Sequence, residues 1–487
     1  MQQSKLNYSY VERIIYSKQF RSLQDKTQLF YPSQKQRVRT RLTHTQEVRT
    51  IAHKIACLLN KQINAYNDNL DKAHNAVNKR LFLADLELID AIAFAHDIGH
   101  TPFGHIGERT IDAVVSGKDT LGGLVRKSGN TTMRFKHNSN AMRILVDLGV
   151  EDWRITEGAL SHTRICYKGD ATIHKNNPFN PFADSTYNKL TQFILSQNAL
   201  SFQKKAKPNP PALTLEGQIV AVADEIAQRA ADLGDARIKA RYLDNIENMF
   251  ETYLGGRKCP EAINKNPYSR LEWVIFTTMT EDVAQETFRN LQKHAPIEGK
   301  YRGITHAVYK EKIAFFSHGM DKINSELDAF VTSFLAQSEE VRESDSRSKY
   351  IIRQLYKAYI NDVTLLPDAF IEDHLNKIAN ANILNDAINN LDSSAKAVVS
   401  DTLSRIKEKK WYVQNSISNV SSKQLLNMSI VNDYCSILKK NNEKAKGKNQ
   451  SIDSLFDAFL LDVGFYIAGM TNTEAFDAYN KIYGHTL

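Results

Sequence analysis

The sequence predicts an all-α fold, and three observations carry that prediction. Apolar residues recur with a period near 3.6 through long segments. The strict apolar/polar alternation of a half-buried strand is scarce. The intervals between periodic segments are rich in Gly, Pro, Asn and Lys, which end helices and make turns. A chain of 487 residues with 42% hydrophobic content has ample apolar surface for a large core.

The first periodic segment is 43–60, THTQEVRTIAHKIACLLN, with its stripe on Val48, Ile51, Ile55 and Leu58; Thr43 followed by Gln46 resembles a capping box. The second is 81–97, LFLADLELIDAIAFAHD, with Phe82, Leu86, Ile89, Ala93 and Phe94. The third is 213–233, LTLEGQIVAVADEIAQRAADL, with Leu215, Ile219, Val222, Ile226 and Leu233. Segments 309–343, 346–361, 384–410 and 453–482 also read as helices. Residues 116–131, 167–187, 203–212 and 255–267 read as loops, and 439–450, with five lysines and one glutamate, as a solvated surface loop. No linker interrupts the middle of the chain. Residues 1–240 are expected to form one helical domain and residues 241–487 a helical extension packed on it.

Composition narrows the function. The first twenty residues lack the apolar run of a signal peptide. No stretch approaches the ~18 uninterrupted apolar residues of a membrane span. Cys57, Cys166, Cys259 and Cys435 are far apart and form no CxxC pair, which argues against a disulfide framework or a cysteine-zinc site and suits a reducing cytoplasm. The net charge of +8 suits a polyanionic ligand such as a nucleotide or nucleic acid, although solubility alone also accounts for it.

The chemistry concentrates in AHDIGHTPFGHIGE, residues 95–108, which holds three of the chain's fourteen histidines: His96, His100 and His105. Asp97 follows the apolar run AIAFA. A buried carboxylate needs a cation or several donors, and a metal at the helix end would supply the first. The bland alternative is a helix-ending aspartate beside a satisfied core histidine. Gly99, Pro102 and Gly104 break the helix, and a new one is expected after TPFG. His105 and Glu108 would then lie three residues apart on its first turn, a pairing that suits proton transfer and otherwise reads as an acidic residue on a helix dipole. His44 faces inward with the apolar stripe of its helix, and Asp224 interrupts IVAVADEIA beside the buried face. Two histidines and two aspartates make a mixed N/O set, suited to an open site for Mn, Mg, Co, Fe or Ni rather than a closed structural zinc site.

In this order, His44, then His96-Asp97, then Asp224, the chain resembles the HD-domain superfamily of metal-dependent phosphohydrolases, and within it the deoxynucleoside triphosphate triphosphohydrolases, or dGTPases. The resemblance rests on FRSLQDKTQLF (20–30), RTRLTHTQEV (39–48), AHDIGHTPFGHIGE (95–108) and YIAGMTNTEAFDAYNKIYG (466–484), with support from FKHN (135–138), ADEIAQRAADLGDA (223–236) and IIRQLYKAYINDVTLLPD (351–368). It implies an HD-domain helical bundle with a helical C-terminal extension. It also implies water attack at the α-phosphorus of a dNTP, giving a deoxynucleoside and intact triphosphate. His44, His96, Asp97 and Asp224 would hold the divalent metal, with His105 and Glu108 as the catalytic pair. His100 and His137 would line the phosphate side, Arg41 would meet a phosphate, and Gln28 and Leu29 would touch the deoxyribose. The resemblance further implies a homo-oligomer, dimer or hexamer, and a possible nucleotide effector; single-stranded DNA is a second candidate effector for a basic chain.

There are departures from the family pattern. A tyrosine commonly stands where this chain has Gln228, four residues after Asp224; Asp232, four further on, is retained. In relatives these two positions read the sugar 3′-hydroxyl. Ala231 replaces a histidine, Thr101 a proline and Asn472 an aspartate. Two other readings stay open: another HD phosphohydrolase acting on monophosphates, cyclic nucleotides or alarmones, and a non-enzymatic nucleotide- or DNA-binding protein. His53, His162, His174, His294, His306, His318, His374 and His485 carry no assigned role.

Overall fold

The structure is a computed structural model and describes residues 9–28, 39–72, 80–125, 134–163, 211–235, 240–301, 304–309, 311–335, 339–367, 369–371, 373–374 and 450–484. The fold is all-α, with a single two-stranded hairpin among the described residues. In chain order the principal helices are α1 (Tyr10–Ile15), α2 (Lys18–Ser22), α3 (Arg41–Lys72), α4 (Leu86–Ala95), α5 (Gly104–Val115), α6 (His137–Asp147) and α7 (Trp153–Ser161). They continue with α8 (Leu215–Asp235), α9 (Ala240–Met249), α10 (Pro267–Lys293), α11 (His318–Phe330), α12 (Glu339–Asn361), α13 (Gln450–Ala468) and α14 (Asn472–Tyr483). No described helix is long and apolar enough to cross a membrane. The expected helix 384–410, loop 167–187 and nearly all of 439–450 lie outside the described residues.

The chain forms two compact units that interleave in sequence: residues 1–104, 137–167 and 186–346 make the first, and 105–136, 168–185 and 347–487 the second. In the first, α3, α4, α7, α8 and α10 pack on one another, and α6 packs on α7. Their stripes make one continuous core, including Val48, Ile51, Ile55 and Leu59 from α3, Ile89 and Ile92 from α4, and Ile219, Val222 and Ile226 from α8. Gly158 lets α7 lie close to α4, because a Cβ there would sit 2.7 Å from Ile92 Cδ1. In the second unit, Gly464 does the same for α13, where a Cβ would meet the Tyr356 hydroxyl at 2.6 Å and Ile111 Cγ2 at 3.0 Å. Tyr356 is buried and its hydroxyl donates to the Leu460 carbonyl.

Several boundaries differ from the sequence expectation, each for a local reason. The helix of 43–60 begins at Arg41, and its capping box pairs Thr40 with Thr43: each backbone N–H donates to the other's hydroxyl. Threonine thus takes the part expected of Gln46. The helix of 81–97 begins only at Leu86, because Asp85 caps it by accepting from the Glu87 and Leu88 N–H groups; Phe82 lies before it and is 39% exposed rather than part of the buried stripe. Segment 309–343 is not one helix. The strands Ile297–Tyr301 and Ile304–Val308 pair antiparallel just before it, and α11 starts only after Ser317, whose hydroxyl accepts from Met320 N–H. Gln218 of α8 fastens the intervening chain, donating to Glu311 O and accepting from the Ile313 and Ala314 N–H groups.

Candidate metal centre

Two helix ends and one helix middle build the centre in the first unit. His44 sits on the first turn of α3, His96 caps the C-terminus of α4, Asp97 follows it, and Asp224 lies midway along α8. All four are buried. The ligand-capable atoms of His44, His96 and Asp224 lie within 4.8 Å of one another. His44 Nε2 is 2.9 Å from Asp224 Oδ1, and His96 Nε2 is 3.7 Å from Asp97 Oδ1 and 3.8 Å from Asp224 Oδ1. The His96 Nδ1–H donates to the Ala93 carbonyl at 2.7 Å, which leaves Nε2 as the lone-pair nitrogen. That Nε2 is buried and makes no hydrogen bond among the described residues. Such a donor set, with an orphaned lone pair beside two carboxylates, fits a divalent cation.

The electrostatics agree. Burial works against both carboxylates. It is outweighed at Asp97 by Arg41, His100 and His96, and at Asp224 by the His44 hydrogen bond and the His96 charge; both are held well below the ordinary carboxylate range. Burial also opposes the His44 imidazolium, but the bond and charge of Asp224 outweigh it and raise its pKa. His100 is pushed down by burial and by Arg41. Two ionised carboxylates in a dry pocket call for positive charge.

Arg41 supplies one part of it. Its Nη1 donates to Asp97 Oδ2 at 2.9 Å, and the residue is 1% exposed. Its Nε and Nη2 are buried with no hydrogen-bond partner among the described residues. Two orphaned guanidinium donors beside a metal-competent cluster suit the oxygens of a phosphate. His100 Nε2 is 3.1 Å from Asp97 Oδ1, and its ring stacks on His137 with centroids 3.8 Å apart. Gln28 Oε1 is buried with no hydrogen-bond partner among the described residues, and Leu29 lies outside them. The Gln228 amide donates to both Asp224 oxygens, at 3.0 and 3.1 Å, so it serves the carboxylate; Asp232 lies two turns further along α8 and is half-buried.

The turn from Asp97 to Gly104 is held on all sides. The Lys26 ammonium donates to the His100 carbonyl, Asn140 donates to the Gly99 carbonyl at 2.8 Å, and Thr101 Oγ1 donates to the Gly104 carbonyl at 2.9 Å. Phe103 and Gly104 both adopt positive φ, 61° and 59°, and the chain reverses there. A buried phenylalanine in that region stores about 1 kcal/mol or more of strain. At Gly104 a Cβ would come within 3.2 Å of Arg41 Nη2 and the Thr27 and Gln28 carbonyls, so glycine also leaves room for the guanidinium.

In the second unit, His105 and Glu108 lie on the first turn of α5, as the loop composition suggested. His105 is exposed, while Glu108 is buried and bonded to Lys136 Nζ at 2.8 Å. Asp112, one turn on, accepts a bidentate pair from Arg134 and the Phe135 N–H, and so steadies the strand of chain that carries Lys136.

Three buried residues carry no role in the sequence reading. Lys26 lies in a quoted block, yet nothing local marks it as buried. Glu157 is fully buried, accepting from Ser161 Oγ and Leu213 N–H. His162 was given no role, but its ring lies 5.1 Å from that of His96 and 5.4 Å from that of His137. Burial, with His96 and His137 alongside, pulls it down to about 3, so the imidazole is neutral.

Residues 41–229 match the HD domain model, a span that begins just before the first candidate ligand and ends just after the last; residues 314–386 match the phosphohydrolase-associated domain. A deoxyguanosinetriphosphate triphosphohydrolase-like protein of Brucella ovis is 30% identical over 381 residues, 73% of this chain and 78% of that protein. The chain belongs to the HD-domain dGTP triphosphohydrolase-like family. Proteins carrying the same description from Bartonella tribocorum and Mesorhizobium japonicum are each 28% identical, over 74% of this chain and 79% of their own. The protein is thus an HD-domain phosphohydrolase, and the matched span contains His44, His96, Asp97 and Asp224.

Proposed function

We propose that this protein is a metal-dependent dNTP triphosphohydrolase, with dGTP its foremost substrate, releasing a deoxynucleoside and inorganic triphosphate. The observation that carries the proposal is the pairing of the His44, His96 and Asp224 cluster with Arg41, whose two orphaned guanidinium donors lie buried beside it. The names of the relatives support the substrate class.

A bound divalent ion would polarise a phosphate oxygen and lower the pKa of water. His44, His96, Asp97 and Asp224 would hold it. Gln228 orients the Asp224 carboxylate, and Ala93 O fixes the His96 tautomer. Arg41 takes up triphosphate charge, with His100 and His137 on the phosphate side. Gln28 offers an acceptor for a sugar hydroxyl. His105 and Glu108 act as the proton-transfer pair for attack at the α-phosphorus and departure of the nucleoside oxygen. The basic net charge leaves room for a nucleotide or single-stranded DNA effector, and a homo-oligomer in the reducing cytoplasm is the expected working form.

Product analysis tests this reading. The purified chain is incubated with Mn²⁺ or Mg²⁺ and each of the four dNTPs and four NTPs, and the products are separated. Deoxynucleoside with intact triphosphate is expected. Release of pyrophosphate or monophosphate would move the protein to another HD activity. No turnover at any triphosphate, with metal bound and candidate effectors present, would refute the proposal.

A further inference from the structure

We propose that Glu47 is a positioning residue: its carboxylate takes the Nδ1–H of His44 and so holds that imidazole with Nε2 turned toward a bound ion. The inference rests on His44 being a ligand, as in the proposed reading, and adds a residue from outside the ligand set.

The two candidate ligand histidines are held differently. The Nδ1–H of His96 is already fixed by the Ala93 carbonyl. His44 is fully buried, and its Nε2 is 2.9 Å from Asp224 Oδ1. Its Nδ1 is buried with no hydrogen-bond partner among the described residues. When Nε2 gives its lone pair to a cation, Nδ1 carries the ring's one proton and needs an acceptor. A histidine ligand almost always finds that acceptor in a carboxylate, a backbone carbonyl or water.

Glu47 lies three residues further along α3. Side chains at that spacing are neighbours, with Cβ atoms about 5–6 Å apart. Burial raises the Glu47 carboxyl, and the charges of Arg39 and His44 oppose the rise, so the imidazole acts on it directly. One of its oxygens is occupied: Oε1 accepts from Arg39 Nε at 2.8 Å. The other, Oε2, is buried with no hydrogen-bond partner among the described residues. A buried donor and a buried acceptor, each unpaired, cost stability until they meet.

Charge balance at Arg39 does not by itself call for Glu47. The guanidinium Nη2 also donates to Glu272 Oε1 at 2.7 Å, so one cation meets two carboxylates and acidic charge is left over. Gly234 on α8 makes room for that arrangement, because a Cβ there would lie 2.3 Å from Glu272 Oε1 and 3.1 Å from Arg39 Nη1. Support therefore runs from α8 and α10 through Arg39 to Glu47, and Glu47 offers its remaining oxygen on the helix that carries His44.

The test uses the full chain, stripped by chelation and titrated with Co²⁺ alone. Affinity is read by competition with a chelating dye, and the ligand N–H protons by their hyperfine-shifted, exchangeable proton resonances. Glu47→Ala should bind Co²⁺ about 10–100-fold more weakly and lose one N–H resonance to solvent exchange. Glu47→Gln keeps an uncharged acceptor, so that resonance should return at a shifted position with part of the affinity restored. Glu272→Gln disturbs Arg39 without touching His44 and should bind Co²⁺ as the parent does. Equal weakening in Glu272→Gln and Glu47→Ala would show a purely structural role and overturn the inference. Parental affinity with an unchanged N–H spectrum in Glu47→Ala would also overturn it; where circular dichroism shows that variant misfolded, the same result in Glu47→Gln does so. A wild-type chain that binds no Co²⁺ would overturn the metal centre and the proposed reaction together, whereas silent Glu47 variants of a Co²⁺-binding chain remove this residue alone.

Discussion

Gly99→Ala is the smallest substitution expected to dismantle the centre. A Cβ on residue 99 would lie 2.0 Å from the His137 carbonyl oxygen, 2.3 Å from Ala141 N and 2.9 Å from Ala141 Cα. All three are backbone atoms of α6, so no side chain can swing away. Real Cβ contacts essentially never fall under 3.0 Å, so the Asp97–His100 turn and α6 must part by about 1 Å. That movement lengthens the Asn140 to Gly99 hydrogen bond and shifts Asp97 and His100 relative to His137. Overpacking of this kind costs about 1–3 kcal/mol, and a displacement of about 1 Å at reacting groups costs roughly 100-fold in rate. The assay is threefold: melting temperature, Mn²⁺ content and turnover. Gly99→Ala should melt several degrees lower, lose metal and lose about two orders of magnitude in turnover. Gly469→Ala, whose Cβ would meet nothing closer than 3.4 Å, is the control and should behave as the parent. A Gly99→Ala protein with parental melting and full metal would show that this close approach does not hold the ligands.

Other expectations follow from the same contacts. Gln228→Ala removes the amide that holds both Asp224 oxygens and should weaken metal affinity about 10–100-fold, read by competition with a chelating dye. Gln228→Tyr separates that role from sugar reading: a higher ratio of deoxy- to ribonucleotide turnover is expected, and an unchanged ratio would confine residue 228 to the carboxylate. Arg41→Lys keeps a charge but not the planar fork, so KM for the triphosphate should rise about tenfold; an unaltered KM would remove Arg41 from phosphate binding. Glu157 predicts a pH dependence of stability. Burial, partly offset by the Leu213 and Ser161 hydrogen bonds, raises its pKa from 4.5 to about 7. The folded state therefore binds the extra proton, and stability is fully present below pH 4.5 and lost as pH rises through about 7. The loss is on the order of 3 kcal/mol. Glu157→Gln should flatten that slope in denaturation curves between pH 5 and 8; an unaltered slope would show that Glu157 does not titrate there.

The sequence alone determined what depends on neighbours along the chain. Helical periodicity placed α8 within two residues at each end, since Leu215, Ile219, Val222 and Ile226 must share one face to be buried. The breakers Gly99, Pro102 and Gly104 marked the turn after α4, and the start of α5 placed His105 and Glu108 on one turn. An inward His44 and an aspartate in the apolar run of α8 were legible for the same reason: a polar group on an apolar stripe needs a partner. Tertiary structure decided which distant groups became partners. His162 lies 66 residues after His96 and carries no local mark of its neighbour; its ring reaches that of His96 because Gly158 permits α7 to approach α4. Lys26 reads as a surface charge until the His100 carbonyl is brought to it. Gln228 reads as a sugar contact by position, yet its amide faces the carboxylate one turn earlier on the same helix. Helix formation is governed by interactions a few residues apart, whereas the meeting of side chains depends on how closely helices pack, and that closeness is set at single glycines whose sequence neighbours do not announce it.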